Sequence, residues 1–367
     1  MPSPPDACDA CLRRTRLLAL LAGHIERARH ERHLPHLLAL DDEALTAAAA
    51  PRHVDAMNAA LDGHRPPIDR ERAAAVGITL VCRHDAAYPE RLLDAEDAPA
   101  VLHVAGDLAA LPRGTVLAVG VVGARRASPY GLEVARGLGR GLAAAGVPVV
   151  SGMALGVDGA AHAGALEVGG PTVAVLAGGA DTPYPRSKAP LYRAILARPG
   201  SCVVSEMAPG FTPFKWGFPA RNRIIAGLSD ATIVVEAAER SGSLITAEMA
   251  QDLGRLVGAV PGLVSNPMAA GTNLLLRDGA ELVRGAQDVL DALLGAGAQR
   301  VPAGPDPARL APGLRRLLER LGERPATSAA LQVPGEPADD VVGGLVELEL
   351  LGFARRVAGG AYVRVAA

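Results

Sequence analysis

The chain has 367 residues, of which 49% are hydrophobic and 21% charged, and this length and composition indicate a folded protein of more than one domain. Lysine and arginine together number 37 against 39 aspartates and glutamates, so the net charge of −2 excludes a uniformly basic coat for nucleic acid, although not a local basic groove. Four cysteines in so long a chain exclude a disulfide framework, and no apolar run approaches the roughly 20 residues that span a bilayer.

Residues 1–75 are predicted to form a small helical, SAM-like domain. Apolar side chains recur at helical spacing at Leu12, Leu17, Leu18, Leu21 and Ile25. Further helical stretches lie around Leu34–Ala48 and His53–Leu61, with breaks at Pro51 and Pro66-Pro67. Charged residues interrupt the Leu17–Gly23 run, so we interpret it as a helix rather than a signal peptide and expect the protein in the cytoplasm.

Residues 76–295 predict an α/β domain that opens with a connector, residues 76–113, containing strand-like pieces at Ile78–Cys82 and Val101–Val104. Six short apolar runs follow: Val116–Val122, Val147–Val150, Thr172–Leu176, Cys202–Ser205, Thr232–Val235 and Val257–Val260. Continuous apolar runs indicate strands buried on both faces. Helical stretches such as Leu132–Ala144, Ala189–Leu196 and Leu244–Leu256 separate the runs. The alternation predicts a Rossmann-like, doubly wound parallel sheet.

The C-terminal part predicts a linker over residues 296–307 and a winged-helix-like domain over residues 308–367. Three helical stretches, Leu310–Leu321, Ala326–Leu331 and Ala338–Leu351, precede a hairpin formed by Phe353–Val357 and Tyr362–Val365. Its arginines are nearly balanced by acidic residues, whereas a module that reads a DNA groove is normally clearly basic. We therefore expect this domain to contact protein rather than DNA.

In open α/β sheets, ligands bind beyond the carboxyl ends of the strands. The first run leads into Gly123, Arg125 and Arg126, after which Ser128 is placed to cap a helix and Pro129 to stand in its first turn. A helix N-terminus offers free N–H groups to an anion, and arginine adds a forked phosphate donor. The loop lacks the GxGxxG pattern, which disfavours a nicotinamide dinucleotide.

The most informative segment combines basic and aromatic residues. The stretch from Thr182 to Ser229 has seven basic residues and one acid, Glu206, for a charge of +7 − 1 = +6; the basic residues are Arg186, Lys188, Arg193, Arg198, Lys215, Arg221 and Arg223. It also holds the only tryptophan and three of the four phenylalanines, at Phe211, Phe214, Trp216 and Phe218. Cations that follow phosphates and rings that stack on bases are what a single-strand binder needs, although the rings are equally suited to filling a loop over the sheet.

Two further loops follow strands. Gly152 and Ser241–Ser243 each precede a helix and allow close approach of a ligand to the backbone. Asp158 and His162 lie four residues apart on one helix face, so they form either an acid–base pair or a structural pair in which Asp158 caps the helix and bonds to His162. No nucleophile recurs at a suitable spacing, and we predict no catalytic residues.

Cys8 and Cys11 form half of a zinc knuckle. Cys82 and Cys202 stand alone in the sequence, so His24 or His30 would have to complete the ligand set. We therefore predict no metal site and interpret the pair as two small residues that flank a helix.

The strand-end motifs together resemble the DNA-processing protein A (DprA, or Smf) family. The matching stretches are Val122–Gly131, Ser151–His162, Tyr184-Pro185, Ser205-Glu206, Phe218–Ser229, Val235–Ala247, Val260–Gly262, Gly271–Asn273 and Asp278–Ala280. Their order and length make the resemblance specific between about Tyr88 and Asp288. In the family's first loop Ser often stands where this chain has Ala124, and Arg126 is an addition.

The resemblance implies a Rossmann-like, single-stranded DNA-binding recombination mediator. It implies a homodimer that protects incoming DNA and loads the RecA recombinase during natural transformation, with no cofactor and no enzymatic activity. Among family contact positions it points to Arg125, Gly152, Lys215, Phe218 and Ser241–Ser243. Together with the basic loops, the predicted DNA-binding residues are Gly123, Arg125, Arg126, Ser128, Gly152, Arg186, Lys188, Lys215, Phe218, Arg221, Asn222, Arg223, Ser241, Gly242 and Ser243.

Two alternatives stay open at this stage. The strand-end glycine loops would also suit a nucleotide-binding enzyme or sensor of the related phosphoribohydrolase-like class, although the stretch from Glu236 to Thr246 lacks the Gly-Gly-x-Gly-Thr run of those proteins. The second alternative is a regulatory protein that binds DNA through the C-terminal winged helix.

Overall fold

A computed structural model describes residues 6–28, 34–302, 310–322 and 325–365. The chain forms two compact units, Met1–Val301 and Pro302–Ala367. The first unit begins with five helices: α1 (Asp9–Ala28), α2 (Leu34–Ala39), α3 (Asp42–Ala49), α4 (Val54–Asp62) and α5 (Pro66–Ala75). The predicted break at Pro66-Pro67 falls between α4 and α5, and these prolines lie in the first turn of α5, where a missing N–H costs no helical hydrogen bond.

A nine-stranded sheet forms the centre of the first unit, in the order β1-β2-β6-β5-β4-β3-β7-β8-β9. The strands are β1 (Ile78–Cys82), β2 (Val101–Gly106), β3 (Val119–Val122), β4 (Val149–Ser151), β5 (Thr172–Leu176), β6 (Cys202–Ser205), β7 (Ala231–Val234), β8 (Leu256–Ala259) and β9 (Glu281–Leu282). Strands β3 to β9 are parallel, and β2 pairs antiparallel with both β1 and β6. The predicted α/β class and parallel sheet are confirmed, and the two strand-like pieces of the connector extend the sheet at one edge.

Seven helices connect or cover the strands. They are α6 (Pro129–Ala144), α7 (Val157–Glu167), α8 (Ala189–Leu196), α9 (Gly217–Leu228), α10 (Gly242–Asp252), α11 (Ala270–Arg277) and α12 (Ala286–Leu294). Helices α6 and α7 pack at backbone distance, because a Cβ on Gly139 would collide with the carbonyl of Ala161 and one on Gly164 with that of Arg136. Buried aliphatic side chains fill both sides of the sheet, with Val121 and Leu142 in one cluster and Val204 and Ile225 in the other.

The strand order places a crevice in the middle of the sheet. From β3 the chain winds through β4 and β5 to β6 on one side, and it then returns to β7 on the other side of β3. The loops that leave β3 and β7 therefore diverge at their carboxyl ends, which is where open α/β sheets bind their ligands.

The N-terminal helices share a core with the sheet domain. Leu17, Leu21 and Leu45 pack in one buried cluster with Met207 and Trp216. The Trp216 indole Nε1–H donates to the carbonyl of Ala22 at 2.9 Å, and its side chain is 1% exposed. The idea that this ring stacks on bases is therefore wrong, because it is sealed against α1.

The second unit holds α13 (Pro312–Arg320), α14 (Ser328–Leu331), α15 (Ala338–Leu350) and an antiparallel hairpin of β10 (Ala354–Arg356) and β11 (Tyr362–Arg364). Leu317, Leu345 and Tyr362 belong to its own apolar core. This order of three helices and a hairpin is the one predicted from the sequence. The predicted linker, residues 296–307, lies partly outside the described residues. Within the described part of the chain, no helix has the length and apolar character needed to cross a membrane.

Candidate nucleic-acid interface

A cleft of about 440 Å³ opens where β3 and β7 diverge. Its walls come from the loop after β3 and from the first turns of three helices, α7, α9 and α10. Each helix N-terminus carries a partial positive charge. At the start of α9 the backbone N–H groups of Trp216, Gly217 and Phe218 already donate within the protein, so this helix contributes its dipole rather than free donors. The fold therefore directs three positive helix ends toward one cleft.

An arginine and two aromatic rings are in contact at the mouth of the cleft. The Arg125 guanidinium carbon lies 5.2 Å from the centroid of the Phe218 ring, within the range of a cation–π contact. The Tyr184 ring lies on Phe218 with its centroid 5.4 Å away and its plane tilted by 48°. Arg125 is exposed and Tyr184 is 46% exposed. An exposed cation, an exposed tyrosine ring and a half-buried phenylalanine ring thus lie next to each other.

Arg221 forms the inner wall of the cleft, and Gly152 lies directly against its guanidinium. Arg221 donates from Nη1 to the carbonyl of Val175 at 2.5 Å, and its Nη2 lies 3.8 Å from the Asp158 carboxylate. A Cβ on Gly152 would occupy the position of the Arg221 guanidinium, so glycine is required there. Burial raises the pKa of the Asp158 carboxyl, and Arg221 opposes that rise. Arg221 therefore presents a largely buried positive charge whose orientation is fixed.

The first turn of α10 forms the opposite wall. Ser241 caps the helix, and its hydroxyl lies 2.7 Å from that of Ser243. Asn222 of α9 donates from Nδ2 to the carbonyl of Gly242 at 3.3 Å and so ties the two helices together. Hydroxyl groups and the helix N-terminus face the cleft here, a combination that suits a phosphate oxygen.

The buried carboxylate of Glu236 fixes the loop after β3 in place. Ser128 caps α6, with its hydroxyl accepting from the N–H of Gly131 at 3.1 Å, and Pro129 lies in the first turn as predicted. The Ser128 N–H and hydroxyl also donate to the two oxygens of Glu236, at 2.8 and 2.6 Å. An acidic side chain of the protein thus already occupies this helix N-terminus. Ser128 is therefore engaged internally, contrary to its predicted phosphate contact.

The geometry of α9 separates Arg221 from Arg223. The basic–aromatic stretch was treated as linear, but residues two apart on a helix point about 200° apart. Arg223 accordingly faces away from the cleft and donates from Nη2 to Glu206 at 2.7 Å, while its Nε lies 3.0 Å from Asp97. Its side chain is 4% exposed. A buried guanidinium with two carboxylate partners is not available to DNA, which corrects the prediction for Arg223.

The other predicted cations lie outside the residues that line the cleft. Arg126, Arg186 and Lys215 are exposed on the adjoining loops. Lys188 is partly buried with its Nζ against Gly159 in the first turn of α7. Burial lowers the pKa of Lys188, and Asp158 opposes this shift. Of the predicted set, the cleft therefore brings together Gly123, Arg125, Phe218, Arg221, Asn222, Ser241, Gly242 and Ser243.

Asp158 and His162 do not pair. Asp158 accepts from the Gly152 N–H at 3.1 Å, whereas the His162 Nδ1 lies 2.6 Å from the Thr172 hydroxyl. His162 is fully buried, and burial lowers its pKa to about 3, so it is neutral in the folded protein. Both the acid–base pair and the structural pair considered for these residues are wrong, because their side chains bond to different elements.

Sequence reasoning missed Tyr184 as a site residue. Its ring comes from the segment after β5 and completes the stack on Phe218. Its position beyond a strand end, next to basic residues, was the available signal. Ile245, Thr246 and Met268 were also missed; they line the cleft but carry no distinguishing pattern in the sequence.

Comparison with known proteins adds independent findings. The family model described as DNA recombination-mediator protein A matches residues 79–294. The chain is 40% identical over 286 residues to Protein Smf of Escherichia coli (strain K12), an alignment that covers 76% of this chain and 75% of that protein. It is 40% identical over 217 residues to the DNA processing protein DprA of Bacillus subtilis (strain 168), covering 59% and 72% respectively.

Two solved structures are also similar. DNA processing protein A from Streptococcus pneumoniae matches with a TM-score of 0.61 and 34% identity over 76% of this chain and 95% of that one. DNA processing protein A from Helicobacter pylori matches with a TM-score of 0.50 and 32% identity over 56% and 93%, and that structure concerns the single-stranded DNA binding mode of the H. pylori protein. From the family match and these relatives, the chain belongs to the DNA recombination-mediator protein A (DprA/Smf) family.

Proposed function

We propose that this chain binds single-stranded DNA in the cleft between β3 and β7 and acts as a recombination mediator. The observation that carries the proposal is the contact of Arg125, Phe218 and Tyr184 at the mouth of a cleft walled by three helix N-termini. The exposed Tyr184 ring and the half-buried Phe218 ring offer an aromatic surface on which any unpaired base can stack. Arg125 and the first turn of α10 offer phosphate donors.

The acidic groups beside the cleft support a binding role over the alternative of a nucleotide-cleaving enzyme. Asp158 is tied to the Gly152 backbone and to Arg221, and Glu236 is tied to Ser128. A general acid or base must be able to reach its substrate and exchange a proton with it. Among the described residues that surround the cleft, both carboxylates are instead buried and committed to holding loops in place.

We extend the proposal to the steps that follow DNA binding. The family to which the chain belongs is described as recombination mediators, which supports the delivery of RecA to bound DNA as its role in natural transformation. We also propose that the protein works as a homodimer without enzymatic activity. Analytical ultracentrifugation tests the dimer, and acceleration of RecA filament assembly on DNA that is covered by single-strand binding protein tests the loading.

Fluorescence anisotropy with a labelled oligothymidylate and a duplex of equal length, over a series of salt concentrations, tests the binding site. If four to six phosphates are contacted, log K should fall against log salt with a slope of about −3 to −4. Arg125→Ala should weaken binding and make the slope shallower by about 0.7, because one phosphate contact is lost. Phe218→Ala should weaken binding by roughly 1–3 kcal/mol and leave the slope unchanged, because stacking releases no counterions.

Two matched variants serve as controls. Arg126→Ala removes the neighbouring exposed arginine, and Phe214→Ala removes an exposed ring that contacts Phe211 instead of Phe218. Both should bind the oligonucleotide like the parent protein. If Arg125→Ala and Phe218→Ala also bind like the parent, or if no variant changes the salt slope, the cleft is not the DNA site.

A further inference from the structure

Three cysteines and one histidine meet at the edge of the sheet, and none of the four is among the residues that line the cleft. Cys8 and Cys11 lie at the start of α1, Cys82 is the last residue of β1, and His84 follows two residues later. Their ligand atoms all lie within 4.8 Å of one another. Cys82 was treated as a lone residue in the sequence, but the fold brings it to the Cys8–Cys11 pair. His84 takes the place considered for His24 or His30, the latter lying outside the described residues.

The two sulfur–nitrogen distances within this group fit a single tetrahedral ion. The Cys8 and Cys11 sulfurs lie 3.4 and 3.5 Å from the His84 Nδ1. With Zn–S bonds of about 2.3 Å and Zn–N bonds of about 2.05 Å, a tetrahedron separates a sulfur from a nitrogen by about 3.6 Å and two sulfurs by about 3.8 Å. The two observed sulfur–nitrogen separations match this geometry to within about 0.2 Å, and all four ligand atoms lie close enough together to converge on one ion.

The fold holds the ligands in place before any ion binds. The Cys8 backbone N–H donates to the Cys82 sulfur at 3.5 Å, the kind of contact that stabilises a thiolate. Arg70 of α5 donates to the carbonyl of Ala7 at 2.6 Å and to the Asp9 carboxylate at 2.7 Å, which fixes the backbone on both sides of Cys8. Arg70 therefore orients the residue without being a ligand.

We propose that Cys8, Cys11, Cys82 and His84 bind one structural zinc ion. Three thiolates and one imidazole in a tetrahedral arrangement suit Zn²⁺ and make a closed site, with no position left for a substrate. Among the described residues, no carboxylate, the side chain that calcium and magnesium prefer, belongs to the ligand group. The site is separate from DNA binding and from the proposed function.

The ion would join segments that are distant in sequence. Cys8 and Cys82 are 74 positions apart, and β1 is the edge strand of the sheet. A metal at this point fastens the start of the helical domain to an edge strand that has a neighbour on one side only. Because binding requires the folded arrangement, the ion adds its binding free energy to the stability of the first unit.

Metal analysis of the purified full-length chain tests the proposal. Protein incubated with Zn²⁺ and then dialysed should hold about one ion per chain by elemental mass spectrometry. Replacement by Co²⁺ should give the ligand-field bands of a tetrahedral site and a thiolate charge-transfer band. His84→Ala, at an exposed position that the fold tolerates, should weaken Zn²⁺ binding in a chelator competition by more than about 10-fold. His84→Cys should restore it as a four-thiolate site.

Cys202→Ala is the matched control, because Cys202 is a buried cysteine on β6 outside the ligand group. It should retain the same zinc content as the parent. Parent protein that folds with four free thiols and retains no more Zn²⁺ than His84→Ala would overturn the proposal. A Cys8–Cys11 disulfide in freshly prepared protein would overturn it as well.

Discussion

Replacing Arg223 with alanine distinguishes its place in the structure from the DNA contact predicted for it from the sequence. Arg223 lies between Glu206 and Asp97, at 2.7 and 3.0 Å, and all three side chains are no more than 8% exposed. Removing the cation leaves two carboxylates buried side by side. Breaking a buried pair in this way costs about 3–5 kcal/mol. Against a total of about 5–15 kcal/mol for a folded domain, the expected loss is a large fraction of the stability.

The loss should depend on pH in a defined direction. Burial raises the pKa of Asp97, with Glu206 adding to the rise and Arg223 opposing it. Without Arg223 the pKa of Asp97 in the folded state rises further above its value in the unfolded chain. A group of this kind stabilises the fold when protonated, and that contribution is lost as the pH rises through the folded-state pKa. The deficit of Arg223→Ala should therefore be largest near pH 8 and smaller near about pH 5.

Urea unfolding followed by circular dichroism measures the free energy at each pH, and anisotropy measures DNA binding by the variant below its unfolding transition. We expect a lower urea midpoint and an unchanged affinity for the oligonucleotide. Arg193→Ala, at an exposed position on α8 in the same basic stretch, should change stability by no more than about 0.5 kcal/mol. A stable Arg223→Ala protein that no longer binds DNA would refute the buried role.

Three further outcomes are expected. Gly152→Ala places a Cβ on the Arg221 guanidinium and should cost about 1–3 kcal/mol in urea unfolding while weakening DNA binding; Gly137→Ala, where a Cβ meets nothing, is its control. Burial lowers the pKa of His103 to about 4 and that of His162 to about 3. Below about pH 6.5 these histidines therefore take up protons in the unfolded chain before they do in the folded protein. Each histidine should lower the unfolding free energy by roughly 1.4 kcal/mol per pH unit of acidification. His162→Gln should flatten this dependence, and an unaltered profile would contradict it. A chain that ends at Val301 should fold and bind the oligonucleotide within about 2-fold of the full chain, since the first unit contains the whole cleft; a larger loss would assign DNA contacts to residues beyond it.

The sheet was predictable because its signal is local and strong. Thr172–Leu176 and Cys202–Ser205 are apolar runs whose ends coincide with β5 and β6. The strand order was not predictable in the same way, since it depends on which runs become neighbours. β9 consists of two exposed residues, Glu281 and Leu282, and is too short to show an apolar run. The connector strands β1 and β2 were visible as pieces, but the antiparallel pairing of β2 with β1 and with β6 depends on the tertiary fold.

The site was predicted in part, and each error has a geometric cause. Gly123, Arg125, Phe218 and Ser241–Ser243 were found because they follow strand ends, and the topology gathers strand ends in one place. Trp216 was misassigned because the sequence pattern around a rare aromatic residue does not distinguish a base-stacking ring from one that is buried between two packed segments. The proposed zinc site was not predicted beyond its Cys8–Cys11 half, because Cys82 and His84 lie far along the chain from that pair and no spacing rule connects them.

The charge of the cleft is smaller than a count along the sequence implies. Of the seven basic residues in the window of charge +6, Arg223 is buried with two acids and Arg221 lies beside Asp158. Arg193 lies on α8 and does not line the cleft. What faces the opening is Arg125, which comes from outside the window, together with three helix N-termini. Helix ends contribute fixed partial charges that are screened by salt like any exposed charge but release no ions of their own. If the helix ends provide much of the attraction, the measured salt slope should lie near about −3. That slope is shallower than the one expected if all seven cations of the sequence window contacted phosphates.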